Sequence, residues 1–578
     1  MAIIGSPILT LHDPATAQRH HSNGLWGDAT LYRILHDNAR AVPDAPAVRD
    51  GGGRMNWRQL LEATDALAAS LAQGGLRRGA RVSVWLPSRI EVFIAYLACS
   101  RNGYVCNASL HQNYTVAAIV DLMNRISSSA LVALPGYGSD ATRHDIFAAA
   151  REISSLRHIY QVEAHGVHAA QPASSDPAGA DDRIRLFPSV PVGVPISPEP
   201  DDNPDKVVSL AFTSGTTGTP KGVMHSDNTL LANARTLIED WRHPADTVLL
   251  CLSPTSHAIG TIAMTQGLLG RFEVVLNSPP ARYAGSAGTL DWILDTGATY
   301  VMGVPTHALD VLVEAGKRNL HHIGRVRTFY MGGSAISRQL AENLLARGIR
   351  PQNVYGMTEN GAHQYTRPDD TADTVVDTCG RACRGYEVRI WRPEDHDTPA
   401  APGEIGEIGG RGACLMLGYF ADQRATEEAF NREGWFMSGD LGRLDSRGNL
   451  QVLGRTKDLI IRGGRNIYPI AIEALAMRHA SVLKAVAFPV DDERLGEKVC
   501  LAVIARDEGV DIEAMDLLGF LDANGLSKYD MPEYFIQLPE FPTTPSGKVI
   551  KRQLVEFVRS GRALPQPVRW TGSPRQSG

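Results

Sequence analysis

A chain of 578 residues with 43% hydrophobic and 21% charged residues has the composition of a soluble globular protein with a sizeable core, and its length predicts about four domains or subdomains. Its net charge of -6 gives no overall electrostatic case for nucleic acid or an anionic membrane as the main partner. The opening MAIIGSPILTLHDP lacks the basic and long apolar regions of a secretory signal, and no apolar run approaches the roughly 20 residues of a membrane helix. Cytoplasmic localisation is expected. The seven cysteines, at 99, 106, 251, 379, 383, 414 and 500, are scattered and odd in number, which points to a reducing compartment rather than a disulfide framework. Cys379 and Cys383 have no second pair at metal-ligand spacing and read as small buried hydrophobes.

In chain order, Asn56 predicts the cap of a helix carrying Trp57, Leu60, Leu61, Thr64, Leu67, Ala68 and Leu71, ended by Gly74 and Gly75. RVSVWLP (81–87) reads as a strand and EVFIAYLACSRNG (91–103) as a helix. Residues 166–206, rich in Pro, Ala, Ser and Asp, read as a surface connection. VVSLAF (207–212) is a strand, HSDNTLLANARTLIED (225–240) a helix, TVLLCLSP (247–254) a strand, and VRTFYMGGS (326–334) a strand running into a glycine turn. Alternating helix and strand predicts α/β architecture with parallel sheets. The last 120 or so residues, with strand-like KAVAFPV (484–490) and VCLAVIA (499–505), read as a separate small α+β domain.

The strand at 207–212 delivers TSGTTGTPKGV (213–223), a stretch rich in Thr, Ser and Gly with one lysine. Backbone N–H groups, hydroxyls and Lys221 together suit a phosphate. It is not the nucleotide loop G-x-x-x-x-G-K-[ST], because Pro220 and Gly222 stand where that motif requires Gly and Ser or Thr. An isolated Gly-Thr run could equally be a surface turn, but further motifs follow in order: SHAIG (256–260), GGSAIS (332–337), VYGMTE (354–359), GWFMSGD (434–440), GRTKDLIIRGGRNIYP (454–469) with Glu473 beyond it, and PTTPSGKVIKR (542–552). This series, from about residue 25 to about 560, resembles the adenylate-forming superfamily of acyl-CoA synthetases, aryl-acid ligases, peptide-synthetase adenylation domains and beetle luciferases. GWFMSGD departs from the family pattern only in Ser438 for the usual Thr.

The resemblance implies a large N-terminal domain of α/β subdomains with a small β-barrel-like part, residues 1–455, and a small mobile α+β C-terminal domain, residues 456–578. It implies ATP, Mg²⁺ and CoA, and two half-reactions: a carboxylate attacks the α-phosphate of ATP to give an acyl-adenylate and pyrophosphate, then a thiol takes the acyl group and releases AMP. By resemblance, Thr213, Ser214, Gly215, Thr216, Thr217, Gly218 and Lys221 would hold the β- and γ-phosphates. Thr358 would meet the α-phosphate and Glu359 the Mg²⁺. Tyr355 would stack on adenine beside Gly356, with Gly332, Gly333 and Ser334 lining the base. Asp440 would accept from both ribose hydroxyls, and Arg455 would reach ribose or phosphates. Lys548 would span carboxylate and α-phosphate in the first step. By the same resemblance Lys457 would mark the hinge about which the C-terminal domain turns and Gly464 would lie against the pantetheine tunnel, and His257 is a candidate gate between acyl pocket and tunnel, with a satisfied core histidine as the other reading.

The acid-binding segments near 257–262, 302–307, 331–335 and 355–363 contain Ile259, Thr261, Met302, Val304, His307, Met331, Ala335 and His363. They are mostly apolar, with no Asp for an α-amino group and no polar set for a dihydroxybenzoate. GLWGDATL (24–31) resembles the opening of alicyclic and aromatic acid–CoA ligases such as cyclohexanecarboxylate–CoA ligase. A cyclic, aromatic or medium-chain acid is the expected substrate, with His307 and His363 as either partners of a polar group on it or solvated loop residues. A stand-alone adenylation enzyme that loads a carrier protein shares every motif and stays open. A non-catalytic nucleotide binder would lack a key residue, yet Lys221, Glu359, Asp440, Arg455 and Lys548 are all present. Oligomeric state is left open, a homodimer included.

Overall fold

The computed structural model describes residues 10, 13–164, 181–188, 198–213, 220–283, 285–507, 509–543 and 549–570, and the structural statements below concern these. Two compact units emerge: Met1–Val388 with Gly410–Phe430, and Arg389–Gly409 with Asn431–Gly578.

In the first unit, helix Trp57–Gln73 starts where expected. The Asn56 side chain accepts from Gln59 N at 2.8 Å, and Gln59 returns a bond to Asn56 N at 2.9 Å. Trp57, Leu60, Leu67, Ala68 and Leu71 are fully buried along one stripe, as helical spacing demands. Helix Ile90–Asn102 closes on Gly103, whose φ of +70 excludes most side chains; a Cβ there would also meet Asp201 Oδ2 at 2.4 Å.

Helix Ile90–Asn102 packs on a seven-stranded sheet ordered Ile184–Leu186, His158–Gln161, Ala130–Ala133, Arg81–Trp85, Val105–Asn107, Val207–Thr213, Lys221–Ser226. All neighbours are parallel except the last pair, which forms an antiparallel hairpin. Ile184–Leu186 lies inside the stretch that reads as a connection. Its three residues pair with His158–Gln161 although their surroundings are polar; of that stretch, residues 166–180 and 189–197 fall outside the described residues. Helix Asp227–Trp241 begins two residues later than the pattern predicts, because His225 and Ser226 still belong to the hairpin and Ser226 caps the helix through Thr229 N.

A second, nine-stranded sheet runs Arg381–Ala382, Gly361–Tyr365, Arg350–Met357, Thr328–Gly332, Tyr300–Gly303, Val248–Cys251, Glu273–Leu276, Pro46–Arg49, Arg54–Asn56. From Arg350–Met357 to Pro46–Arg49 its neighbours are parallel. Open parallel sheets offer their ligand sites beyond the carboxyl ends of the strands, and SHAIG, GGSAIS and the turn after VYGM all leave such ends.

A five-stranded sheet, ordered Asp395–Pro399, Tyr386–Arg392, Gly406–Gly412, Phe436–Leu444, Leu450–Arg455, occupies residues 386–455. The second unit also holds a six-stranded sheet. Its longest pair, Val482–Asp492 and Gly496–Ala505, covers both segments expected to be strands and aligns Phe488 with Cys500. Ile460, Val482, Ala487, Leu501, Val503 and Leu517 are fully buried there. The chain is thus mixed α/β with several sheets. No helix among the described residues is long and apolar enough to cross a membrane. All seven cysteines are free thiols.

Four histidines of the first unit are held neutral mainly by burial: His111, His225 and His243 fall to about 4, and His363 to about 3. In an unfolded chain each returns to about 6.5. Below that pH the unfolded chain binds protons that the folded chain refuses, so stability falls as pH drops from about 6.5 toward 4. The slope is about 1.4 kcal/mol per pH unit for each histidine at full effect. Resistance of the first unit to urea should therefore weaken from pH 7 to 5. His243→Phe should weaken less over that interval, and an unchanged slope would remove His243 from the account.

Candidate active site

The phosphate-loop motif begins and ends on the hairpin Val207–Thr213/Lys221–Ser226. Thr213 pairs directly with Lys221 and Phe212 with Gly222, so both ends of the loop are held by sheet register. Ser214, Gly215, Thr216, Thr217 and Gly218 lie outside the described residues. Strand alternation puts Lys221, Val223 and His225 on one face. Lys221 sits with its ammonium 4.8 Å from the centre of the Tyr419 ring, a cation–π contact.

Tyr419 also donates its hydroxyl to Glu359 Oε1 at 3.0 Å. The segment around Tyr419 is stitched to both neighbours: Met224 N donates to Gly418 O at 3.1 Å, Phe420 N to Gly222 O at 2.7 Å, and Met416 N to Glu359 O at 2.7 Å. His225 completes the group, with Nε2 2.7 Å from the Thr358 carbonyl oxygen and Nδ1 3.0 Å from Thr229 Oγ1. A carbonyl only accepts, so Nε2 carries the proton, and the buried ring is neutral. The structure thus brings Lys221, Thr358 and Glu359 together, and it adds Tyr419 and His225, which sequence reasoning missed. Period-two alternation from Lys221 was a signal for His225. Nothing local signals Tyr419, which is 60 residues from its carboxylate partner.

Tyr355 and Gly356 occupy the end of strand Arg350–Met357. The register shifts between them against Gly361–Tyr365, and a Cβ on Gly356 would lie 1.8 Å from Gly361 O, so no other residue fits. Tyr355 meets His363 edge-on at 5.4 Å, and His363 stacks on Tyr386 at 4.2 Å. Gly332 ends strand Thr328–Gly332. Gly333 follows at φ +90, and Ser334 is exposed. His257 stands at the start of helix Ala258–Gly270, its backbone N–H donating to Pro254 O at 3.0 Å.

Of the segments expected to line the acid, Ile259, Thr261, Val304, His307 and Ala335 keep some exposed surface, whereas Met302, Met331 and His363 are enclosed in the core. His363 is therefore no solvated loop residue; it is fully buried, and neither ring nitrogen has a hydrogen-bond partner. His307 sits in the first turn of helix Pro305–Lys317, where its Nδ1 accepts from Val304 N at 3.3 Å.

In the second unit, Asp440 and Arg455 are direct register partners, with Arg455 Nε 3.3 Å from Asp440 Oδ1. Asp440 is mostly buried and Arg455 exposed. Lys457 lies exposed in the single turn Thr456–Asp458. Gly463 and Gly464, at φ +56 and +82, join strands Ile460–Arg462 and Arg465–Ile467 in the two-residue hairpin turn that needs positive φ at both positions. Glu473 Oε1 accepts from Lys551 Nζ at 2.6 Å and from Ala487 N at 2.9 Å. Lys548 lies outside the described residues; its neighbour Val549 bridges Thr543.

The AMP-binding enzyme family matches residues 35–420, and the C-terminal domain of AMP-binding enzymes matches residues 471–548. The chain belongs to the AMP-binding enzyme family. This AMP-binding enzyme is 29% identical over 537 residues to the medium-chain fatty-acid–CoA ligase of Escherichia coli (strain K12), covering 92% of this chain and 91% of that protein. It is 30% identical over 552 residues to the salicyl-AMP ligase / salicyl-S-ArCP synthetase of Mycobacterium tuberculosis (strain ATCC 25618 / H37Rv), covering 93% and 92%. ATP-bound MatB from Rhodopseudomonas palustris matches its fold with a TM-score of 0.77 at 27% identity, covering 92% of this chain and 99% of that one. The enzyme is an adenylate-forming acid–thiol ligase: it activates a carboxylic acid with ATP as the acyl-adenylate and passes the acyl group to a thiol.

Proposed function

We propose that the acid is cyclic, aromatic or medium-chain, that the thiol is free CoA, and that the reaction runs in the cytoplasm. The observation that carries the assignment of the site is the Lys221–Tyr419–Glu359 cluster, a cation and a carboxylate held on one phenol at the foot of a Thr/Ser/Gly-rich loop. The chemical difficulty of the first step is charge: an anionic carboxylate must approach a polyanionic nucleotide, and fixed charges and dipoles offset that repulsion. Lys221 and the loop from Thr213 to Gly218 would hold the phosphates that leave as pyrophosphate, and the Thr358 hydroxyl would meet the α-phosphate. Tyr355, Gly356, Gly332, Gly333 and Ser334 would take the adenine. Asp440, mostly buried and beside Arg455, would accept the ribose hydroxyls, two bonds at once to one carboxylate. Lys548 would bridge carboxylate and α-phosphate, and rotation at Lys457 would then exchange it for Gly464 and the thiol path past His257.

Among the described residues no group of three His, Cys, Asp or Glu side chains is set to hold a metal. Glu359 with the neighbouring Thr358 offers hard oxygen donors, which suit a magnesium ion completed by phosphate oxygens and water. Bound there, magnesium would neutralise phosphate charge, while Tyr419 orients the carboxylate.

The mostly apolar acid-binding segments support the acid class, and the free thiols suit a reducing compartment. The carrier-loading alternative is supported by the salicyl-S-ArCP synthetase relative. A pyrophosphate-release screen over carboxylic acids, with and without CoA, tests both. Release with cyclic, aromatic or medium-chain acids and conversion of CoA to thioester is expected. An adenylate left unconsumed by CoA but discharged onto a carrier would replace CoA as the acceptor.

A further inference from the structure

We infer that His111 is a positioning residue for the thioester half-reaction, holding His257 in one orientation by a hydrogen bond to Ser256 and by contact between the two imidazoles. The inference rests on the gate reading of His257. His111 lies on the loop after strand Val105–Asn107, at the carboxyl end of the seven-stranded sheet. Ser256 and His257 lie beyond strand Val248–Cys251, at the carboxyl end of the nine-stranded sheet. The two sheets of the first unit therefore meet through these side chains. His111 Nδ1 is 2.8 Å from Ser256 Oγ, and the His111 and His257 ring centres are 4.6 Å apart at 36°.

Both ends of this contact have fixed backbones. The His111 carbonyl accepts from Trp85 Nε1 at 3.1 Å and from Tyr114 N at 3.2 Å. The Tyr114 ring stacks on His111 at 5.7 Å. Ser109, two residues earlier, accepts from Phe212 N at 2.6 Å, which ties the same loop to the strand that leads into the phosphate loop. On the other side, a Cβ on Gly260 would come within 2.5 Å of Thr255 Cα, so the turn carrying Ser256 and His257 is tight. With the backbone fixed, the freedom left to His257 is rotation of its side chain. A ring packed against it restricts that rotation and lowers the entropy lost when a thiol path must open in one geometry. Burial keeps the His111 ring uncharged, so it restrains its neighbour without adding a cation beside the acyl-adenylate.

The test uses the full chain and isolated acyl-adenylate, with single-turnover thiolysis by CoA and ATP–pyrophosphate exchange measured in parallel. His111→Ala should lower the limiting thiolysis rate about tenfold, a loss of roughly 1.4 kcal/mol of transition-state stabilisation. The CoA concentration giving half that rate should hold, and exchange should stay within about twofold. His111→Asn keeps an amide group near the place of Nδ1 for Ser256 and His111→Phe keeps a ring against His257, so each should recover part of the rate. Equal loss of both half-reactions in His111→Ala, or failure of both variants to recover any rate, would reduce His111 to a structural role and overturn the inference. Full thiolysis in His111→Ala while His257→Ala is impaired would overturn it alone. Full thiolysis in His257→Ala would remove the gate reading and the inference with it.

Discussion

Lys548→Ala should lower ATP–pyrophosphate exchange by about 100- to 1,000-fold, the usual effect of removing one group aimed at developing charge, while thiolysis of a supplied acyl-adenylate stays within about twofold. The asymmetry follows from where charge changes. In the first step a carboxylate and an α-phosphate, both anionic, must share one space, and an ammonium between them offsets their repulsion. In the second step the adenylate is already made and the attacking group is a thiol. The neighbours of Lys548 argue that Lys551, three residues on, does not take over. Val549 bridges Thr543, Ile550 N donates to Pro542 O at 2.8 Å, and the Lys551 ammonium is committed to Glu473 at 2.6 Å and to Ala487 O at 3.1 Å. Equal loss in both assays would mean that Lys548 serves the fold of its unit rather than the first step.

Gly464→Leu should do the reverse, lowering thiolysis about 100-fold with exchange nearly intact. The prediction separates two effects of one side chain. Gly464 has φ +82, so any Cβ there strains the hairpin turn by about 1–2 kcal/mol. Within its own unit no described atom beyond its two chain neighbours lies within 4 Å of the place a Cβ would take. Gly464→Ala carries the same backbone strain with three fewer carbon atoms. If a thiol passes this turn, leucine should block it and alanine should cost only a small fraction of that loss. Equal thiolysis in the two variants would assign the effect to the turn, and normal turnover in Gly464→Leu would remove the glycine from the thiol's path.

Local chemistry made much of the fold readable. Asn56 announces a helix start, Gly74 a helix end, and the apolar runs at 207–212, 484–490 and 499–505 are strands because their residues are buried in sheets. The reading faltered where partners are distant or composition misleads. Ile184–Leu186 sits in a polar stretch and becomes a strand only because His158–Gln161 presents an edge to it. Lys221 and Glu359 could be chosen from their motifs, but the phenol that joins them comes from a segment with no chemical signature of its own. The same holds for His363: its sequence position is that of a loop after a catalytic motif, and only the antiparallel return of Gly361–Tyr365 buries it beneath Tyr355.

If the segments expected to line the acid do so, their division has a consequence for how such an enzyme changes its diet. Met302, Met331 and His363 are enclosed with the core, so replacing them alters packing and selectivity together and draws on a small reserve of stability. Ile259, Thr261, Val304, His307 and Ala335 retain surface, and exchanges there leave the sheets largely untouched. New acid preferences can therefore accumulate at these five positions by single steps, each of which still yields a folded protein, whereas the three enclosed positions demand compensating changes made at the same time.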